Sequence, residues 1–199
     1  MSILSKKMSG MVVLGLSITA LAQNPFESAK QFSATVVASG AAAQRAGEMS
    51  MKVYKSGDKM RTEMPNGMGA VIIDLSQHNF YMVMKSMCMQ MPAQSQSNPF
   101  AQASGATIDR SPAGSDTFDG HSCKVENLTV TPRDGKPTKM KVWEAEDLKG
   151  FPVKVEIQSD KGPLTVIYRD ISFDAPAASL FTHPENCQEM PSMPGGMPH

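Results

Sequence analysis

The amino-acid sequence predicts a mainly β protein built on a single antiparallel sheet. Short runs alternate apolar and polar residues, as residues 49–55 do in the order Met-Ser-Met-Lys-Val-Tyr-Lys, which is typical of strands with one buried face. Tight turn sequences separate these runs, among them Ser-Gly-Asp at 56–58 and Pro-Asn-Gly at 65–67. Such turns join neighbouring antiparallel strands and are too short for a parallel crossover, so we expect an antiparallel meander.

Composition and motifs narrow the class of protein. The chain has 199 residues, 41% hydrophobic and 19% charged, which suits one domain with one core. Its formal net charge is zero and it has no basic run, which argues against a nucleic-acid partner. It contains no serine-nucleophile elbow, His-Glu-x-x-His, Cys-x-x-Cys or glycine-rich phosphate loop. We therefore expect a monomeric binding protein without a cofactor, not an enzyme.

Residues 1–22 are predicted to be a cleaved secretory signal. Lys6 and Lys7 precede an apolar run at 8–21, which ends in the small-x-small pattern Ala-Leu-Ala that signal peptidase recognises. The alternative is a membrane anchor, but the apolar run is shorter than the roughly 20 residues that a helix needs to cross a bilayer. We expect an exported protein, periplasmic or extracellular and soluble after cleavage, in a compartment that permits disulfides.

The domain is predicted to span residues 23–186 with about nine strands. The predicted strands are 32–39, 49–55, 60–64, 70–75, 80–91, 121–131, 138–144, 151–158 and 164–173. Short helical segments are predicted at 24–30, 145–148 and 176–181.

Two segments lack a strand pattern. Residues 93–115 are rich in Gln, Ser, Ala, Gly and Pro and predict a long surface loop, which is either a lid or disordered. Residues 187–199 are mostly Met, Pro and Gly and predict a disordered tail.

Residues 80–91 hold five methionines and one cysteine within twelve positions. Phe80, Met82 and Met84 share one strand face, but the methionines shift to odd positions from Met87 onward, which indicates a bulge or a strand end. Methionine is flexible and polarizable, which suits the wall of a cavity for irregular apolar ligands. Three interpretations stay open: an acyl-binding wall, plain core packing and a soft-metal site.

The soft-metal interpretation is a Cu(I) site, because thioether and thiolate ligands select that ion. A flat strand opposes it, since successive side chains point to opposite faces and the later methionines cannot join the earlier ones unless the backbone bends. The candidate ligands are Met82, Met84, Cys88, Met89, Met190, Met193, Met197 and His199.

The three cysteines predict one disulfide and one spare thiol. Cys88 closes the first half of the chain and Cys123 opens the second, so antiparallel pairing of their strands would form a Cys88–Cys123 disulfide. Pairing of either cysteine with Cys187 is the alternative.

Four runs carry a resemblance to a known family: Met-Lys-Val-Tyr-Lys-Ser-Gly-Asp-Lys-Met-Arg (51–61), Val-Ile-Ile-Asp-Leu (71–75), Val-Trp-Glu-Ala-Glu-Asp-Leu-Lys-Gly-Phe-Pro-Val-Lys-Val-Glu (142–156) and Ser-Leu-Phe-Thr-His-Pro (179–184). They resemble an uncharacterised family of exported bacterial domains that is similar to the periplasmic lipoprotein carriers LolA and LolB. The resemblance covers residues 30–190 and implies an unclosed antiparallel β-barrel, formed by a strongly curved sheet with short helices and a cavity for acyl chains on its concave face.

The expected ligand is therefore a lipid, an acyl chain or a lipidated protein, with transient contact to a membrane component of the envelope. By the resemblance, Arg61 matches an arginine that holds the lid of the carriers shut. Cys187 departs from the family, which has an aromatic residue there. Trp143 and Phe151, which flank the turn at 144–150, are expected to anchor the core. The predicted cavity residues are Val53, Met60, Arg61, Ile72, Met82, Met84, Trp143, Val155 and Val166.

Overall fold

The computed structural model describes residues 29–40, 49–77, 79–92, 106–132, 136–159 and 162–189, and these form one twelve-stranded sheet. The predicted signal segment 1–22 lies outside the described residues. The strands are β1 (Gln31–Gly40), β2 (Met49–Ser56), β3 (Lys59–Glu63), β4 (Gly69–Asp74), β5 (Asn79–Met84), β6 (Met87–Pro92), β7 (Thr107–Phe118), β8 (His121–Thr131), β9 (Thr138–Ala145), β10 (Phe151–Ser159), β11 (Gly162–Ser172) and β12 (Gln188–Glu189).

The sheet consists of two meanders that meet at its centre. Its strand order is β12-β6-β5-β4-β3-β2-β1-β11-β10-β9-β8-β7, and β1 joins the meanders by pairing with β11 as well as β2. The end strands β12 and β7 do not pair with each other, so the sheet is not closed into a barrel. The predicted mainly β fold with an unclosed sheet is confirmed.

Helices are nearly absent from the described part of the chain, so the predicted short helices on a concave face are not supported. The two helical segments there are the 3₁₀ turns Pro65–Gly67 and Ala178–Phe181. Of the segment predicted as a helical turn at 176–181, only the last four residues form the second 3₁₀ turn, because Ala177 at its N-cap has an extended ψ of 132° and offers no side-chain capping hydrogen bond. No described helix has the length and hydropathy needed to cross a membrane.

Turn residues explain why the strands reverse where they do. Asp119 and Gly120 both have positive φ, as a two-residue turn between β7 and β8 requires, and Asp-Gly is favoured there. At Gly69, a Cβ atom would lie 2.2 Å from the carbonyl oxygen of Val83, so only glycine permits this approach of β4 to β5.

The loop predicted at 93–115 is wrong in its final part, because residues 107–115 belong to β7. β7 is the last strand of the sheet, and an edge strand tolerates proline and glycine that a central strand would exclude. Pro112 and Gly114 lie at the register irregularity between Pro112 and Ser115. Residues 93–105 lie outside the described residues, and their role as a lid stays a prediction.

The strand predicted at 80–91 is in fact the hairpin of β5 and β6. Lys85 and Ser86 form its turn, and Met84 pairs with Met87 across it. The shift of the methionines from even to odd positions therefore arises from reversal of the chain, not from a bulge within one strand.

The predicted Cys88–Cys123 disulfide is also wrong. Cys88 on β6 is bonded to Cys187, while Cys123 on β8 is a free, fully buried thiol. The strands β5, β4, β3, β2, β1, β11, β10 and β9 all lie between β6 and β8, so closeness in sequence does not bring these two cysteines together.

The same disulfide corrects the start of the tail predicted as disordered at 187–199. Cys187 is covalently held, and Gln188–Glu189 form β12, which pairs parallel with β6. Residues 190–199 lie outside the described part of the chain.

Candidate functional site

The register of the sheet defines two faces, named here after one buried residue on each. On β1, Phe32, Ala34, Val36 and Ala38 are buried while their neighbours are half-buried, and the face they occupy is the Val36 face. Ile72 on β4 lies on the opposite Ile72 face. Residues directly opposite in an antiparallel pair point to the same side, so each strand can be assigned through its partner.

The register assembles methionines on the Val36 face. Val36 pairs with Met51 on β2, and Lys55 on the same side of β2 pairs with Met60 on β3. Met60 in turn pairs with Ile73, which shares its side of β4 with Val71. The apolar face thus continues across four neighbouring strands.

The hairpin extends this face with four more methionines. Val71 pairs with Met82, Met82 with Met89, and Met84 with Met87. Directly opposed side chains have Cβ atoms about 4.5–5.5 Å apart, so chain reversal brings together methionines that a single strand would separate. Met82, Met84 and Met89 are half-buried, and 41% of Met87 is exposed. We call Met51, Met60, Val71, Met82, Met84, Met87 and Met89 the methionine strip.

The other half of the sheet continues the Val36 face with aliphatic side chains. Ala38 pairs with Val166 on β11, Val166 with Val155 on β10, and Val155 with Val142 on β9. Val155 packs with Val142 and Leu128 in one buried cluster, against which Val166 and Tyr168 also lie. Burial raises the pKa of Tyr168.

Six of the nine predicted cavity residues share this face, and three do not. The six are Val53, Met60, Met82, Met84, Val155 and Val166. Val53 belongs to a core cluster against which Met60 and Val166 pack directly. Arg61, Ile72 and Trp143 lie on the Ile72 face, because their partners in register are Ile72, Tyr81 and Lys154 respectively.

The C-terminal residues Ala178–Glu189, called the strap, contact the Ile72 face of β3 to β6. The Arg61 guanidinium donates from Nη1 to the carbonyl oxygen of Leu180 at 3.1 Å. Tyr81 stacks on His183 with ring centroids 3.7 Å apart, and Cys88 is bonded to Cys187. Arg61 therefore holds the strap, whereas the resemblance implies that it holds a lid.

Of the eight predicted Cu(I) ligands, the structure brings together Met82, Met84 and Met89 in the methionine strip. Cys88 pairs in register with Val83, so it lies on the Ile72 face and not with the methionine strip. Its sulfur is also oxidised in the disulfide and supplies no thiolate. The tail ligands Met190, Met193, Met197 and His199 lie outside the described residues. Within the described ranges, no group of three or more His, Cys, Asp or Glu side chains could hold a metal ion.

A charged cluster occupies the Val36 face at the β7 edge. Arg110 donates from Nε to Glu126 at 2.5 Å and from Nη2 to Glu144, and Lys124 also pairs with Glu126. Burial alone would raise the pKa of Glu126, but hydrogen bonds from Lys124 and Arg110 outweigh it and the pKa is lowered. The apolar part of the Val36 face therefore ends at this cluster, in which the charged side chains pair with one another.

Trp143 and Cys123 are structural residues of a separate cluster. Trp143 is buried, donates from Nε1 to Asp116 at 3.0 Å, and has the ammonium of Lys154 4.0 Å from its ring centroid. Burial raises the pKa of the Cys123 thiol, which favours its unreactive protonated form.

The sequence did not predict an open cleft of about 330 Å³ that involves none of the nine predicted cavity residues. Three segments that are distant in sequence meet there through the pairing of β1, β10 and β11. Among its lining residues, the sequence predicts a role only for Phe151, as a core anchor. The lining residues are Ala29, Lys30, Gln31, Leu148, Lys149, Phe151 and Phe173.

Comparison with known proteins gives structural similarities at low identity. No protein-family model and no curated protein matches the chain. Similar solved structures include a LolA superfamily protein from Nitrosomonas europaea, with 15% identity over 81% of this chain and 97% of that chain and a TM-score of 0.39. Lipoprotein LppX of Mycobacterium tuberculosis has 14% identity over 76% and 91%, with a TM-score of 0.49.

MucB is similar over 82% of this chain with 16% identity and a TM-score of 0.47, and the chain spans only 62% of MucB. One of these similar structures is a protein of the LolA superfamily, to which the family that the sequence resembles is itself similar.

Proposed function

We propose that this chain is an exported, non-enzymatic binding protein that holds the acyl chains of a lipid or a lipidated partner against the Val36 face. The methionine strip carries the proposal. Except for Met87, its side chains are half-buried. They are held in place by the strands, and each still exposes apolar surface that a ligand can cover. Removing such surface from water contributes about 25 cal/mol per Å².

The chemistry of the strip favours a chain-like ligand over a rigid one. Methionine has three rotatable side-chain bonds and adapts its shape to irregular apolar groups. On the Val36 face, the strands β1, β11 and β10 lie between Lys55 on β2 and the charged cluster at the β7 edge. They present the aliphatic side chains Val36, Ala38, Val166 and Val155. The Cys88–Cys187 disulfide supports export, because cytosolic thiols are kept reduced.

The test is displacement of a fluorescent fatty acid from the purified, delipidated protein. Met82→Glu places a carboxylate in the strip and is expected to weaken binding at least about tenfold, because an acyl chain would have to desolvate that charge. Met68→Glu is the matched control, since 55% of Met68 is exposed beside the first 3₁₀ turn. Equal affinity of the two variants, both folded by circular dichroism, would refute the proposed site.

A thioether site for a soft metal is the second candidate, favoured by the pairs Met82–Met89 and Met84–Met87. The double variant Met82→Leu, Met89→Leu keeps the apolar volume and removes two sulfur atoms. Ag(I) replaces Cu(I) as the probe, because it needs no reductant that would open the disulfide. Stoichiometric binding by the wild type that the double variant loses, with Met68→Leu unchanged, would favour this candidate. Retained fatty-acid binding without Ag(I) binding would eliminate it.

A further inference from the structure

We propose that the open cleft beside Phe151 binds the anionic end of an amphiphile, a molecule with one carboxylate or phosphate group on a short apolar chain. The inference rests on the proposed function and deepens it, because it names the polar group that the apolar ligand carries. The cleft is where cationic side chains meet the apolar core.

The cleft has an apolar floor. Phe151 is buried and packs edge to face on Phe32 at 4.9 Å and on Phe173 at 5.8 Å between ring centroids. Phe151 belongs to the core cluster that also contains Val53, and Leu148 packs against that cluster. The floor is therefore the end of the core whose other members line the Val36 face.

The rim is cationic. The seven lining residues include Lys30 and Lys149 but no carboxylate. The ammonium of Lys149 lies 5.4 Å from the ring centroid of Phe173, which places it against one wall. Lys55 is not a lining residue, but its ammonium contacts one, because its Nζ donates to the carbonyl oxygen of Ala29 at 2.8 Å.

The described acids form no ion pair with the two lysines of this rim. The carboxylate of Asp147 is hydrogen-bonded to Nδ1 of His121 at 2.7 Å, and the carboxylate of Asp174 accepts a hydrogen bond from the Ser172 hydroxyl at 2.9 Å. Among the described residues, neither Lys30 nor Lys149 has a carboxylate within ion-pair distance. Two ammonium groups next to aromatic and aliphatic surface suit an anion with an apolar body.

The volume sets the size of the ligand. About 330 Å³ lies at the lower end of the range for small-molecule pockets, roughly 300–1,000 Å³. A small anionic head group with a short length of its apolar chain suits this space. The Gln31 side chain is already engaged, donating to the carbonyl oxygen of Phe173 at 3.1 Å, so the lysines are the donors available to an anion.

The experiment compares decanoate, decanol and acetate by calorimetry, using the full chain purified after export and delipidated. The double variant Lys30→Gln, Lys149→Gln is expected to weaken decanoate binding about three- to tenfold, since each exposed ion pair contributes modestly. Decanol affinity is expected to stay unchanged, and added salt should shrink the decanoate effect through screening. Lys52→Gln, Lys139→Gln is the control, because both lysines are exposed on other strands.

The outcomes separate the inference from the proposed function. If wild type and the double variant bind decanoate equally, or if decanoate and decanol lose affinity equally, the inference is wrong while acyl binding stands. If acetate binds as tightly as decanoate, the cleft is an anion site without an apolar contribution and the inference is wrong. If neither decanoate nor decanol binds the wild type, the proposed function itself fails.

Discussion

The two halves of the sheet have similar strands but are stabilised in different ways. In β8 to β10, Leu128, Val142 and Val155 bury one another directly, and none of the described strap residues belongs to their cluster. In β3 to β6, Ile72 and Tyr81 are buried on the face that the C-terminal strap contacts. One half thus depends on its own side chains, and the other depends on a segment that returns from the end of the chain.

The buried acids of the halves show the same contrast. Asp74 on β4 accepts hydrogen bonds from Ser76 and Gln77, which are two and three residues away. Glu126 on β8 pairs with Arg110 on the neighbouring strand, and Arg110 also reaches Glu144 on β9. The first half satisfies its buried charge mainly within one turn, with one further ion pair at 3.6 Å to the exposed Lys59 on the neighbouring strand. The second half connects three strands through its charges.

The largest expected effect is loss of the strap. Cys88→Ser with Cys187→Ser removes a bond that links residues 99 positions apart. A closed loop of that length contributes about 4.7 kcal/mol in the chain-entropy model, so we expect a fall of that order in the free energy of unfolding. Hydrogen exchange should accelerate in β4 and β5 and remain slow in β8 and β9.

Acceleration of exchange throughout the sheet would contradict the contrast between the halves. Reduction of the wild-type protein provides the control, because it opens the same bond without a substitution and should reproduce the pattern.

A smaller effect is expected from the self-contained half. Leu128→Ala removes a side chain that is 2% exposed and is expected to lower the free energy of unfolding by about 3 kcal/mol. The loss should be the same in oxidised and reduced protein, because the cluster does not contact the strap. Leu75→Ala, at a residue 41% exposed, is the control and should change stability by less than about 0.5 kcal/mol.

If reduction alters the cost of Leu128→Ala, as a denaturant titration of both redox forms would reveal, then the halves are coupled and the contrast fails.

The sequence predicted the local parts of this fold well. Alternating apolar residues and turns such as 56–58 depend on nearest neighbours, so the strands and the antiparallel meanders followed from them. β7 was missed because its Pro112 and Gly114 resemble a loop, and only its position at the sheet edge makes them acceptable in a strand.

Long-range contacts could not be predicted in the same way. The Cys88–Cys187 bond depends on the return of the C-terminus to β6, and no local pattern encodes that path. The convergence of Met82 and Met89 depends on whether Lys85 and Ser86 form a turn or continue a strand. Spacing alone leaves both choices open, because a change of parity fits either a bulge or a hairpin.

The smallest expected effect concerns the two buried acids, Glu126 and Asp74. It tests whether the two halves of the sheet stabilise a buried carboxylate in different ways. The pKa of Glu126 is lowered from 4.5 because hydrogen bonds from Lys124 and Arg110 outweigh burial, so its contribution to stability is complete above about pH 4.5. That contribution disappears as the pH falls through the lowered folded-state pKa. Glu126→Gln should therefore lower stability at pH 7 by about 1–2 kcal/mol and flatten the acid-induced loss.

Asp74→Asn is the matched comparison in the other half. The pKa of Asp74 is also lowered, from 3.8, because hydrogen bonds from Ser76 and Gln77 outweigh burial, so its stability is lost only at more acidic pH. Thermal melts between about pH 2 and pH 7 measure both losses. We expect Glu126→Gln to flatten the curve from a higher pH than Asp74→Asn does, since its ordinary pKa is the higher of the two. Identical curves would mean that the cross-strand charges add nothing that a local turn does not supply.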